Sequence, residues 1–306
     1  MKGQILSLLK SDAGIVSGQR LSEALGVSRV SIWKHIRKLQ ELGYSIRATA
    51  NGYRLFGASD ALHPWEFPER ETRIHYFPEV ASTMDVARGL ARKGCPDFTL
   101  VVADRQTGGR GRLRRAWLSE QGGLYFTMIL RPQIHPALSP RLNFSAAVDL
   151  VLTLRSRFGI HAQVKWPNDI LVSGKKICGI LSEMEAEGDL VTFVNIGIGV
   201  NVNNDPSLSE PKASSLKKIL KQTVSRKTVF SEFLDRFENR IQSNGLDSIL
   251  DEWKQYATTL DRRVKIVTLD EVIEGIALDV DENGALILKD AGGRIKKILC
   301  GDCFET

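Results

Sequence analysis

Nowhere in the 306 residues is there a run of about 18 apolar residues, which excludes a membrane-spanning helix. The first 14 residues carry only a short apolar patch and no small-residue cleavage pattern, so no secretory leader is expected. Cysteine is scarce. Four in a chain of this length cannot form a disulfide framework, and a reducing, cytoplasmic compartment is the expectation. Histidine is absent after His161, and Cys95 and Cys178 are the only thiols besides the Cys300–Cys303 pair. A four-ligand zinc site therefore lacks partners. The pair is expected in a terminal strand region, with no permanent metal site in the protein.

What is present suits a core-forming chain: 42% hydrophobic residues and 25% charged. The length implies two or three domains. The net charge of +6 is concentrated at one end. Residues 1–57 hold nine Lys/Arg against three acids, and the remainder balances at 33 against 33. A basic head on a neutral body points to a polyanionic partner for the head.

The stretch 19–46 reads as a helix, a tight turn at Gly26 and a second helix. Ile32, Ile36 and Leu39 recur at helical spacing and face inward, so Lys34 and Arg37 face outward. Ser31, Trp33 and Lys38 flank them, and Ser28 is placed to cap the helix start. Beyond it, Ile46, Ala48 and Ala50 alternate with polar residues up to Asn51-Gly52, a strong hairpin signal. Helix, turn, helix and hairpin together make a winged helix. One helix would enter the major groove, with Ser28, Arg29, Ser31, Lys34, Arg37 and Lys38 as the DNA-binding candidates. A solvated basic helix in a small interaction domain is the alternative reading. The Pro-containing stretch 59–70 reads as a linker.

In the body, residues 98–103 form a short apolar β-rich run and 122–130 another. Between them lies GGRGRLRRAW, too polar and glycine-rich for a core. No GK[ST] follows and no helix comes next, so it is neither a P-loop nor a dinucleotide fingerprint. Gly109 and Gly111 let backbone approach a ligand, while Arg110, Arg112, Arg114 and Arg115 offer guanidinium forks for carboxylate or phosphate. Trp117 offers a face for stacking. Taken alone, the loop fits a nucleotide site or a single-stranded nucleic-acid contact. Two further segments stand out. VKWPNDILVSGKKICGILSE (164–183) reads as a hairpin with Lys175 and Lys176 at its tip or just inside the next strand, and VNIGIGVNVN (194–203) as a strand whose small residues admit close approach.

Taken in order, STMD (82–85), RQTGGRGR (105–112), Trp117, KWPND (165–169), KKICGIL (175–181) and GIGVNVN (197–203) resemble the motifs of biotin–protein ligases. With the winged helix in front, the chain resembles the bifunctional class that is both biotin ligase and biotin operon repressor. The resemblance spans nearly the whole chain. It implies an α+β multidomain protein: a winged helix-turn-helix at 1–58, a linker at 59–70, an α/β ligase core on a mixed sheet of the class II synthetase kind at 71–259, and an SH3-like barrel at 260–306. It implies biotin and ATP as substrates, with Mg²⁺ accompanying the ATP. The implied partners are a carboxylase carrier domain, operator DNA, and a second copy of the chain once the adenylate is bound.

The resemblance also implies roles. Ser82, Thr83, Met84, Gln106, Arg110, Gly111, Arg112, Lys176 and Gly179 would face biotin. Arg112, Arg115, Trp117, Lys165, Asn168, Asp169 and Asn201 would face ATP. Lys176, Arg110, Arg112 and Asp169 would act on the reacting groups, with Asp169 a candidate acceptor of the incoming amine's proton. The chain departs from the family at Leu113-Arg114, where a glycine commonly follows one variable residue, and at Met84, where many relatives carry Asn. Two other readings are a lipoate or octanoate ligase, and a ligand-sensing transcription factor without ligase activity.

Helical patterning at 205–258, with Phe230, Phe233, Leu234, Phe237 and Ile241 on one stripe, reads as core packing. After Asp261 short strands alternate with the turns DENG and AGGR, as a small barrel requires.

Overall fold

The computed structural model describes residues 1–11, 14–268 and 270–305, without the side chains of Arg114, Leu208 and Glu305. It divides into two compact units, Met1–Thr72 and Arg73–Thr306.

The first unit holds helices α1 (Lys2–Ser11), α2 (Gly18–Leu25) and α3 (Arg29–Glu41) and a hairpin of β1 (Ser45–Thr49) and β2 (Gly52–Gly57). The α2–α3 turn forms as its residues dictate. Gly26 closes α2 in the left-handed region at φ +64°, and the Ser28 side chain accepts a hydrogen bond from the Ser31 amide at 3.2 Å. Ile32, Ile36 and Leu39 are buried against Ile5, Leu6 and Leu9, so the short apolar patch at the chain start is the third helix of the fold.

Two details differ from the sequence expectation. Thr49 pairs with Gly52, so the wing turns at Ala50-Asn51, one residue earlier than the Asn51-Gly52 signal suggests. Gly52 is needed for another reason: its φ is +140°, and a Cβ there would lie 2.2 Å from the Val16 carbonyl oxygen. Val16 exchanges two 2.9 Å hydrogen bonds with Tyr53 and adds a bridge to the β2 strand of the wing. The second difference is the stretch 59–70, which is packed rather than a free tether. Leu62, His63 and Phe67 are buried, Trp65 packs on the head's core, and the Trp65 indole donates to the Tyr44 hydroxyl at 3.0 Å. The apolar and aromatic content of this stretch supplies the burial that its prolines obscured.

The second unit is built on a seven-stranded sheet. Its elements are β3 (Ile74–Val80), α4 (Thr83–Arg92), β4 (Thr99–Gln106), β5 (Leu124–Leu130), α5 (Pro140–Phe158), β6 (Ala162–Lys165), β7 (Asp169–Val172), β8 (Lys175–Glu187) and β9 (Leu190–Val200). The strand order is β3-β4-β5-β9-β8-β7-β6; β3 and β4 run parallel and the other neighbours antiparallel, so the sheet is mixed. Helices α6 (Leu216–Leu220), α7 (Arg226–Gln242) and α8 (Ile249–Tyr256) follow.

Adjacent residues of β5 show which helix covers which face, because neighbours on a strand point oppositely. Phe126 meets Phe230 of α7 edge-on with centroids 5.0 Å apart. Thr127 donates to the Thr83 hydroxyl of α4 at 2.9 Å. Both faces of β5 are thus covered, which accounts for its seven consecutive buried residues. Each buried aromatic or large aliphatic side chain here contributes about 1.5–3 kcal/mol.

The last five strands are β10 (Arg263–Val267), β11 (Val272–Val280), β12 (Leu286–Asp290), β13 (Ile295–Ile298) and β14 (Asp302–Glu305), in the antiparallel order β13-β12-β11-β10-β14. Three residues join the two outermost strands, a span of at most about 14 Å, so the sheet must curl towards closure. The β14 strand, which carries Cys303, lacked a pattern of its own. The Gly284 turn fastens this sheet to the larger one. Its carbonyl accepts from the buried Trp166 indole at 3.1 Å, and its bare Cα lies against Phe144 of α5.

Replacing Gly52 by Ala should destabilise the first unit by about 2–3 kcal/mol, through backbone conformation and the clash with Val16. Faster hydrogen exchange in α1–α3, with β5 and β9 unchanged, is the expected reading.

Candidate functional site

The face of the large sheet that carries α4 also carries its barest surface. Gly179 of β8 pairs with Gly199 of β9, and Leu181 with Gly197. A Cβ on Gly199 would sit 2.3 Å from the Trp117 indole nitrogen, and one on Gly179 would sit 3.0 Å from the far edge of the same ring. A Cβ on Gly197 would lie 2.6 Å from the Met84 sulfur. Glycine is required at these positions because an indole and a thioether lie directly on the backbone.

Above this floor is a cavity of about 430 Å³, the size of a small-molecule site. Ser82, Thr83, Met84, Gln106, Arg110, Gly111, Arg112, Lys176 and Gly179 line it, together with Arg115, Trp117, Lys165, Asn168, Asp169 and Asn201. Every residue expected at the two ligand sites is therefore brought to one void. The DNA-binding candidates belong to the first unit, on α3 and its cap, where Ser28, Arg29, Lys34, Arg37 and Lys38 are exposed and Ser31 is half-buried.

Each polar side chain has a structural reason for its pose. The Gln106 carbonyl accepts from the Thr83 amide at 2.8 Å and the Thr83 hydroxyl at 3.0 Å, while its NH₂ donates to Ser119 at 2.9 Å. One amide hydrogen of Gln106 remains for a ligand. Asn168 brackets the turn after the cis Trp166–Pro167 bond. Its side chain donates to the Ile180 carbonyl at 2.6 Å, and its own carbonyl accepts from the Ile180 amide at 2.9 Å. Lys176 stands 2.6 Å from Asp169 and 5.3 Å from the Trp117 ring centroid. Asn201 is buried and accepts from Asn204 at 2.9 Å. Lys165 lies 5.9 Å from the Phe304 ring centroid.

The arginine loop is fastened on two sides, through residues that sequence reasoning did not single out. Arg110 makes a two-pronged ion pair with Asp85 of α4, at 2.7 and 2.6 Å, with Glu183 of β8 at 3.7 Å. Arg88 pairs with the same two carboxylates. On the other side, Arg115 pairs with Asp302 of β14, and Arg112 donates to the Gly301 carbonyl at 3.1 Å. Asp302, Cys303 and Phe304 join the cavity wall, although no local pattern marked the chain's end as part of a site. Asp85 does lie inside the STMD motif and Glu183 at the end of the 164–183 segment, so their position was a usable signal.

Arg112 differs from its neighbours. Burial pushes its pKa down, and no carboxylate among the described residues lies within 4.0 Å of it. A half-buried guanidinium whose one direct hydrogen-bond partner among the described residues is a carbonyl favours an incoming anion. The sharp bend of the loop falls on Leu113, at φ +52° and ψ +32°.

Comparison with known proteins fits this geometry. Residues 76–201 match the biotin/lipoate A/B protein ligase family, residues 2–54 an HTH domain, and residues 259–304 the biotin protein ligase C-terminal domain. The chain is 40% identical to the bifunctional ligase/repressor BirA of Bacillus subtilis, across 96% of this chain and 95% of that one. The Escherichia coli protein of the same name is 28% identical, across 90% and 88%. Among solved structures, the biotin protein ligase of Aquifex aeolicus in complex with biotin and ATP superposes with a TM-score of 0.64 at 28% identity, covering 76% of this chain and 99% of that one.

Asp85 is held below the ordinary carboxylate range, chiefly by the hydrogen bond from Arg110, with the charges of Arg110 and Arg88 adding to it. The fastening is therefore present at neutral pH and is lost only as pH falls through that depressed value. Asp85→Asn should remove it at neutral pH. Tryptic cleavage within 107–118 should then speed up about three- to tenfold, with hydrogen exchange of β5 unchanged.

Proposed function

Because the chain belongs to the bifunctional biotin ligase/repressor family, we propose that it joins biotin to a lysine of a carboxylase carrier domain at the expense of ATP, and represses transcription through its winged helix. The observation that carries the ligase reading is the convergence of Arg112, Lys176 and Trp117, from three separate segments, on one cavity where, among the described residues, the half-buried Arg112 guanidinium has no carboxylate within 4.0 Å.

The first step brings an anion to a polyanion. A biotin carboxylate oxygen bonds to the α-phosphorus of ATP, the bond from that phosphorus to the bridging oxygen breaks, and pyrophosphate leaves. Charge repulsion is the principal barrier, and fixed cations lower it most where burial keeps water away. Lys176 and Arg112 supply two such charges, and Mg²⁺ carried in with ATP would supply more. Asp169, 2.6 Å from Lys176, holds the ammonium in place until the anions arrive. Ser82, Thr83, Met84 and Gln106, with Arg110, Gly111 and Gly179, form the biotin end, where hydroxyl and amide groups suit a ureido ring. Trp117, with Arg115, Lys165, Asn168 and Asn201, forms the nucleotide end.

In the second step the carrier lysine's amine attacks the carbonyl carbon of the mixed anhydride and AMP departs with the bonding pair. In this reading Asp169 takes the amine's proton. In this reading the winged helix (1–58), the catalytic part (71–259) and the C-terminal sheet (260–306) divide the work. The C-terminal sheet contributes Asp302 and the Gly301 carbonyl as supports for the loop. The adenylate-bound form dimerises and grips two half-sites of operator DNA, with binding that weakens as salt rises.

Lys176→Ala should lower formation of biotinyl-AMP from biotin and ATP by about 100- to 1,000-fold, read as labelled adenylate. Equal or better use of lipoate by the wild type would overturn the choice of substrate. From preformed biotinyl-AMP, Asp169→Asn should slow transfer to a carrier domain about 100-fold; an unchanged rate removes Asp169 from the proton-transfer role.

A further inference from the structure

The outward face of α3 contains a feature that phosphate binding leaves unexplained. At 100° per residue, Trp33, Arg37, Val30, Lys34, Lys38 and Ser31 follow one another around the exposed arc of the helix, opposite buried Ile32, Ile36 and Leu39. Val30 thus lies in the middle of the cationic face, between Arg37 and Lys34, and is 62% exposed. Trp33 is 48% exposed beside it, with the Arg37 guanidinium 5.2 Å from its ring centroid. Neither side chain belongs to the head's buried core. A β-branched residue is also a weaker helix former than alanine at such a site.

An apolar centre ringed by cations matches one chemical surface closely. In the major groove of DNA, the thymine 5-methyl is the apolar group among hydrogen-bonding base edges, and phosphates border the groove on both sides. Residues in the first turns of a recognition helix are those that reach base edges. Val30 is the second residue of α3, directly after the capped start at Ser28. The face carries three cations, Lys34, Arg37 and Lys38, against one acid, Glu41, which pairs with Lys38 at 3.2 Å; in a head carrying nine Lys/Arg against three acids, its complement is a polyanion.

Building on the repressor reading above, we propose that Val30, flanked by Trp33, reads thymine methyl groups in the major groove and sets the operator's base preference, while Lys34 and Lys38 hold the phosphates. The packing of Arg37 along Trp33 fixes the direction in which its guanidinium enters the groove.

The test uses the full chain with biotin and ATP present. Duplexes are selected from a random pool, and the tightest is resynthesised with deoxyuridine replacing thymidine at one position at a time, which removes only the methyl. At one or two positions per half-site, uridine should weaken binding by the wild type about fourfold per methyl. Val30→Ala, at an exposed helical position, should lose that discrimination while the slope of affinity against salt stays the same. Lys34→Ala should instead weaken all duplexes alike and reduce the slope by about one. Selected duplexes that bind equally with thymidine and uridine overturn the proposal and leave the repressor reading standing. So does discrimination that survives in Val30→Ala. Failure to select any duplex above the pool overturns both.

Discussion

Positive charge gathered from separate segments into one cavity is the constraint around which this molecule is organised. Guanidinium and ammonium groups repel one another, and burial raises the cost of each. The structure keeps them in place with carboxylates: Asp85 and Glu183 for Arg110, Asp302 for Arg115, Asp169 for Lys176. Arg112 alone of these rests on a carbonyl, and it is the group whose pKa burial depresses. The field is therefore assembled before any anion enters, which is the arrangement that makes electrostatic stabilisation effective.

Holding that field requires distant parts of the chain. The floor needs glycines on two adjacent strands so that Trp117 and Met84 can lie on bare backbone. The loop needs α4 on one side and the C-terminal sheet on the other. That sheet is in turn fastened through the Gly284 turn to Trp166, which begins the segment carrying Asn168 and Asp169. The small C-terminal sheet is thus both a brace for the larger one and a wall of the site.

The head follows a separate logic. Its helices are positioned by an inward stripe and by caps at Ser17, Gly26 and Ser28, and its wing by a glycine that lets Val16 approach. What it presents outward is charge interrupted by a valine and a tryptophan. The catalytic unit speaks to anions through charge in a cavity, whereas the head offers charge on a convex helix, where shape and apolar contact can add selectivity.

Much of this was legible in local patterns. Periodicity at Ile32, Ile36 and Leu39, the apolar runs that became β4 and β5, and the glycine alternation in β9 are each set by nearest neighbours along the chain, so they can be read without the fold. The ordered motifs from STMD to GIGVNVN likewise identified the residues around the cavity. Tertiary structure alone decided the rest. It shifted the wing turn to Ala50-Asn51 because Val16 packs on Gly52, and made the 59–70 stretch part of the head because Trp65 found a core to cover. It also paired Arg110 with Asp85, Arg115 with Asp302 and Arg112 with Gly301. Those partners are far apart along the chain, up to 189 residues in the case of Arg112. Local sequence sets which way a side chain faces, but the partner it meets depends on how the strands are ordered.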